Sequence, residues 1–137
     1  MLLASLALAA CSAAPSAQSQ SPQSQSSDSA SIAATDFLLT SAATDFREHG
    51  PANPVHVRRV RIGYTPMPDG SRQYLMCGEF LRTSETGKSE WTHFVTIKTS
   101  GYEQWIGGQG EGFCNRPSTV WEKRDLSSEL QSRLDKV

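Results

Sequence analysis

The first 27 residues carry no charged side chain, and Met1–Ala10, broken only by Ser5, is the longest apolar stretch in the chain. Ten residues cover about 15 Å as a helix, against roughly 30 Å of bilayer hydrocarbon, so no transmembrane helix is expected. A charge imbalance is also lacking. Thirteen basic side chains face fourteen acidic ones, leaving no net field that would draw in nucleic acid. Motifs for chemistry are equally scarce. His49, His56 and His93 show no ligand spacing, so no metal is expected. No Cys-x-x-Cys, Gly-x-Ser-x-Gly or Ser/His/Asp constellation occurs. Gly107–Gly112 lacks a following Lys-Ser/Thr pair, and its Glu111 would repel a phosphate. It is expected as a flexible connection into Cys114. Glu79 and Glu90 could meet across paired strands, but no catalytic set and no cofactor are expected.

What is present begins with Leu8-Ala9-Ala10-Cys11. A short apolar run closed by small residues and a cysteine resembles the lipobox of bacterial lipoproteins. The resemblance implies a signal peptide over 1–10, cleavage before Cys11, and a lipid on its sulfur that holds the chain to a membrane. Ser12 in second position implies, by the same analogy, the bacterial outer membrane, with the domain facing the periplasm. Such a signal normally opens with Lys or Arg, so the natural start is expected upstream of Met1. Residues 12–31 are almost wholly Ser, Gln, Ala and Pro, with Asp28 as their one charge. A tract so poor in apolar surface is expected to be a disordered tether with a reach of roughly 25 Å. Residues 32–137 are then the folded domain.

With Cys11 assigned to lipid, Cys77 and Cys114 remain as a pair, and in an oxidising compartment they are expected to form a disulfide. Ile32, Leu38, Leu39, Ala42, Ala43 and Phe46 share one face of a helix expected from about Ala30 to His49. Gly50-Pro51 ends it. The period then changes to two. Val55 and Val57 point one way, Val60, Ile62 and Tyr64 the other, and the switch falls at Arg58-Arg59, where a bulge fits. Further strands are expected near Gln73–Leu81, Trp91–Ile97 and Tyr102–Ile106, adjacent in chain order. A helix over Ser127–Val137 follows, with Leu126, Leu130, Leu134 and Val137 on one stripe and Asp125 or Ser127 as cap. The expected fold is α+β: an N-terminal helix, an antiparallel sheet of three to four strands, a short C-terminal helix and one disulfide, with the helices on one sheet face.

Val57 to Ile62, Cys77-Gly78-Glu79, and Trp91 with Phe94 resemble small secreted bacterial domains that carry a Cys-Gly-Glu strand. Here Leu81–Glu85 departs from the Asn- and Gly-rich segment that follows in those domains. The resemblance implies compartment and fold, not an activity. Candidate binding residues are Arg58, Arg59 and Arg61, read either as a solvated strand face or as a site for an anionic envelope polymer. Tyr102, Trp105 and Trp121 are candidates for contact with an envelope protein or glycan, while Trp91 is expected in the core beneath the helices. The function expected is a lipid-anchored lipoprotein with a non-catalytic binding or scaffolding domain. The alternatives are an inhibitor of a lysozyme-like hydrolase and, in last place, a small envelope hydrolase.

Overall fold

The computed structural model describes residues 13–16, 22–51 and 55–136. Met1–Ala10, Cys11 and Val137 lie outside the described residues, as does most of the expected tether before Pro22. The described chain is α+β. Helix α1 spans Pro22–His49, and strands β1 (Val57–Pro66), β2 (Arg72–Thr83), β3 (Ser89–Lys98) and β4 (Tyr102–Ile106) follow. Then come helix α2 (Gly108–Cys114), strand β5 (Val120–Trp121) and helix α3 (Ser127–Asp135). The sheet is antiparallel in the order β4-β3-β2-β1-β5, so β1 to β4 follow the chain and β5 returns to the far side of β1. No described helix is long and apolar enough to cross a membrane.

Helix α1 begins at Pro22, not near Ala30, and takes in the second half of the expected tether. Ser, Gln and Ala do not break a helix, and proline suits its first turn because the missing N–H has no partner there in any case. Its buried stripe is Ala34, Leu38, Leu39, Ala42, Ala43 and Phe46. Ile32 lies on that side by periodicity yet is 71% exposed. Arg133 of α3 reaches Asp36 and Thr40, and the buried stripe begins at Ala34, two residues past Ile32.

Strand β1 carries the bulge. Arg58 pairs with Glu79 and Arg61 with Cys77, so two residues of β1 stand opposite Gly78. The extra residue reverses the side-chain alternation. Val55 and Val57 therefore face the same way as Val60, Ile62 and Tyr64, all against the helices, rather than opposite to them. Gly78 is required opposite the bulge, since a Cβ there would stand 2.8 Å from the Phe94 ring and 3.0 Å from Val60. Phe46, Phe80 and Phe94 fill the space above it, with ring centroids 5.1 to 6.4 Å apart.

Helix α3 closes this core with Leu130 and Leu134, after Leu126. Its start is held from both sides. Asp125 accepts the Ser127 N–H at 2.7 Å, and the Ser127 hydroxyl accepts the Val60 N–H at 3.0 Å. Hydrogen bonding from Ser127, its side chain first and its backbone N–H second, keeps the Asp125 carboxyl below its ordinary range.

The Gly107–Gly112 stretch is a correction. It is not a loose connection but the body of α2, and it packs on the sheet face opposite α1 and α3. Three glycines cost a helix about 1 kcal/mol each relative to alanine, which is why local reading gives no helix there. Tertiary contact offsets this cost. Gly110 sits where a Cβ would be 2.8 Å from the Trp105 carbonyl, so the helix lies directly on backbone. Cys114 bonds to Cys77 of β2, and Phe113 stacks on Trp105 at 6.2 Å.

Candidate functional site

With α1 and α3 on one face, the other face of the sheet is where functional side chains gather. Alternation sends Arg58 and Arg61 of β1, Glu79 of β2, Trp91 and His93 of β3, and Trp105 of β4 to this outer side. Helix α2 crosses its middle above Leu75, Cys77, Val95 and Ile97. The open parts lie on either side of α2.

At the end where β1 begins, Glu79 is buried and accepts from Arg58 Nε at 2.8 Å. Arg59 Nη1 approaches the same carboxylate oxygen at 3.6 Å. The Arg58 guanidinium lies over the Trp91 ring, 4.1 Å from its centroid. Such stacking leaves the guanidinium's in-plane N–H groups free to donate at its rim. His93 Nε2 stands between Glu79 and Glu111, 3.9 and 4.0 Å from their oxygens.

Arg59 is the bulge residue, and its φ of 54° is left-handed. A position of this kind in a bulge is ordinarily glycine, because a Cβ there costs about 1–2 kcal/mol. Its side chain is 74% exposed. The strain thus carries a cation outward beside Arg58. A buried carboxylate holding two guanidiniums, one on an indole, is a preset donor array for an oxyanion.

The remaining candidates lie elsewhere. Arg61 stacks on Trp121 at 3.9 Å and donates to the Cys114 carbonyl at 3.4 Å, so this pair buttresses the disulfide. Trp105 is 37% exposed beyond α2, with Arg116 stacked on the far ring, Phe113, at 4.4 Å. Tyr102 is on the helix face, where its hydroxyl donates to Asp45 of α1 at 3.3 Å. Burial first, and the Asp45 charge second, push that phenol above its ordinary range. The six candidates thus divide among four places: Arg58 meets Arg59 at Glu79, Arg61 meets Trp121, and Tyr102 and Trp105 each stand apart.

Two expectations are overturned. Trp91 is on the outer face beneath Arg58, not in the core under the helices, because it shares its parity with Val95 and Ile97. Glu79 and Glu90 do not meet. Glu79 stands opposite His93 and Glu90 opposite Arg82, on opposite faces of the sheet. Glu111, Phe113 and Arg116 could not be placed without α2, whose glycines hide it. Among the described residues, no three His, Cys, Asp or Glu side chains gather as a metal site would need. Comparison with known protein families, curated proteins and solved structures finds no match to this chain.

Proposed function

We propose that the chain is a bacterial outer-membrane lipoprotein, held by lipid on Cys11, whose domain binds an anionic envelope polymer or protein surface without catalysis. The binding surface is the Arg58–Arg59–Trp91 patch. One observation carries this reading: Arg59 occupies a left-handed position better suited to glycine, and spends that strain on presenting a cation to solvent. Glu79 orients both guanidiniums, and the Trp91 ring offers a flat face to a sugar or an apolar group.

Arg59→Gly separates binding from folding. In the full chain, glycine should leave stability unchanged or raise it by about 1 kcal/mol, since it relieves the left-handed strain. Loss of a charge-assisted contact should weaken binding to lipopolysaccharide about tenfold, read by tryptophan fluorescence. Equal affinity of both forms would defeat the patch. Cys11→Ser should move the protein from the membrane to the soluble fraction, and persistence in the membrane would defeat the anchor. Capture of one muramidase from solubilised envelopes, with loss of its activity, would establish a hydrolase inhibitor instead.

A further inference from the structure

A second surface lies on the helix side of the sheet, at the far end from the arginine patch. Arg72, at the start of β2, is seven residues from Glu79, about 23 Å along the strand. Here α1 and the sheet enclose a groove of about 540 Å³, within the roughly 300–1,000 Å³ range of ligand sites. Ala30, Ala33, Ala34 and Phe37 of α1 form one wall. Arg72 and Tyr74 of β2, with Lys98 and Thr99 at the end of β3, form the other.

Two cations face this groove, and no acid lines it among the described residues. The Arg72 guanidinium lies over the Tyr64 ring, 4.2 Å from its centroid, and Lys98 Nζ stands 5.1 Å from the Phe37 centroid. Neither has an ion-pair partner among the described residues. The rings hold both cations without neutralising them, which leaves N–H groups for an anion. The register that pairs Leu75 with Ile97 puts Lys98 beside Tyr74 and diagonal to Arg72. Diagonal neighbours on one face stand about 7–8 Å apart, close enough for two such long side chains to meet on one phosphate. Asp69, in the turn before β2, is held by the Ser71 N–H and hydroxyl at 2.9 and 2.6 Å and does not line the groove.

The direction of the chain selects the source of that phosphate. Ala30 lies eight residues into α1, about 12 Å from Pro22, and eleven further residues lead back to Cys11. Eleven residues span at most about 40 Å, so the end where α1 enters the domain is the one a lipid on Cys11 holds closest to the membrane. Met67, 37% exposed in the turn between β1 and β2, adds an apolar side chain at this end.

On that reading of Cys11, on which the choice of occupant rests, we propose that this groove docks the domain onto its own membrane by binding the phosphate of an anionic phospholipid headgroup. The phosphate meets Arg72 and Lys98, and the glycerol and first acyl carbons lie against the alanines and the Phe37 and Tyr74 rings. Docking in this way turns the Arg58–Arg59 patch away from the bilayer and toward its own ligand.

The test is cosedimentation of the full-length Cys11→Ser chain with vesicles of phosphatidylcholine alone, or of phosphatidylcholine and phosphatidylglycerol in equal parts. The anionic vesicles should bind roughly thirtyfold more tightly than the neutral ones, the combined effect of two cations at an anionic surface. Arg72→Gln and Lys98→Gln should each weaken that binding about fivefold while the thermal melt stays unchanged. Arg82→Gln, at the other end of β2, and Arg59→Gly, in the patch, should leave it intact. Equal binding of both vesicle types, or the same loss from Arg82→Gln as from Arg72→Gln, would overturn docking through this groove. Binding of free glycerol phosphate as tight as that of the vesicles would overturn it too, by assigning the groove to a soluble phosphate ester. The vesicle assay reads this end of the domain with or without lipid on Cys11, so it fails separately from the membrane release expected of Cys11→Ser.

Discussion

On the helix side of the sheet, fourteen buried residues among those described form one cluster, from Leu38 through Phe94 to Leu134. On the outer side there are five, and two of them are the cysteines of the disulfide. The first face is held by burial of aliphatic and aromatic side chains, which needs no particular partner so long as volume is filled. The second has too little apolar area for that. It is held by a covalent bond, by arginines laid over indole and phenyl rings, and by a helix pressed onto backbone. A face stabilised in this way can expose charged and aromatic side chains in fixed positions, because its stability does not depend on hiding them. The difference explains why the candidate patch is on the outer side.

The two modes should respond differently to substitution. Phe94→Ala, at the centre of the large cluster, should cost about 3–5 kcal/mol and lower the denaturation midpoint of the whole domain. A smaller loss would mean that Phe46 and Phe80 can collapse into the cavity. Cys77→Ser should cost about 2–4 kcal/mol, on the scale expected for a loop of 37 residues. Cys114 should then react with thiol probes, and cleavage by protease should begin around α2 while the helix side stays protected. Unchanged stability would show that packing of Gly110 and Phe113 alone secures α2.

The smallest effect concerns α3. Asp125→Ala should cost a few tenths to about 1 kcal/mol, as for loss of a helix-start acceptor. The carboxyl is held below its ordinary value of 3.8, so its contribution is complete above that pH and is lost as pH falls through the lowered value. Wild-type and variant stabilities, measured against pH, should differ above about 3.8 and converge in stronger acid. A constant difference would assign the effect to packing rather than charge.

The sequence made one face far more legible than the other. Period-two alternation in β2 and β3 and the period of α1 depend on burial, and burial leaves a pattern in the chain. The bulge at Arg58-Arg59 was visible as a break in that pattern, and the cysteine pair as a remainder after Cys11. The outer face leaves no such pattern. Helix α2 is written in glycines, β5 is two residues long, and Trp91 reads as core until the bulge fixes which face β1 shares with the helices. Glu79 and Glu90 look like partners in the sequence, whereas Glu79 is held by Arg58 and Arg59 of β1, whose register depends on the bulge.

The single extra residue at Arg59 has a consequence for how this strand can change over time. Upstream and downstream of it, β1 is written in two phases, and the bulge is the splice that lets both be read by the same core. Because Arg59 is the surplus residue, taking it out would leave Arg58 opposite Glu79, Val60 opposite Gly78 and Arg61 opposite Cys77, with Val57 still on the same face as Val60. Inserting one further residue beside it would instead turn Val55 and Val57 toward water. The strand can therefore lose this residue without re-facing the core, and what would go with it is the outward cation.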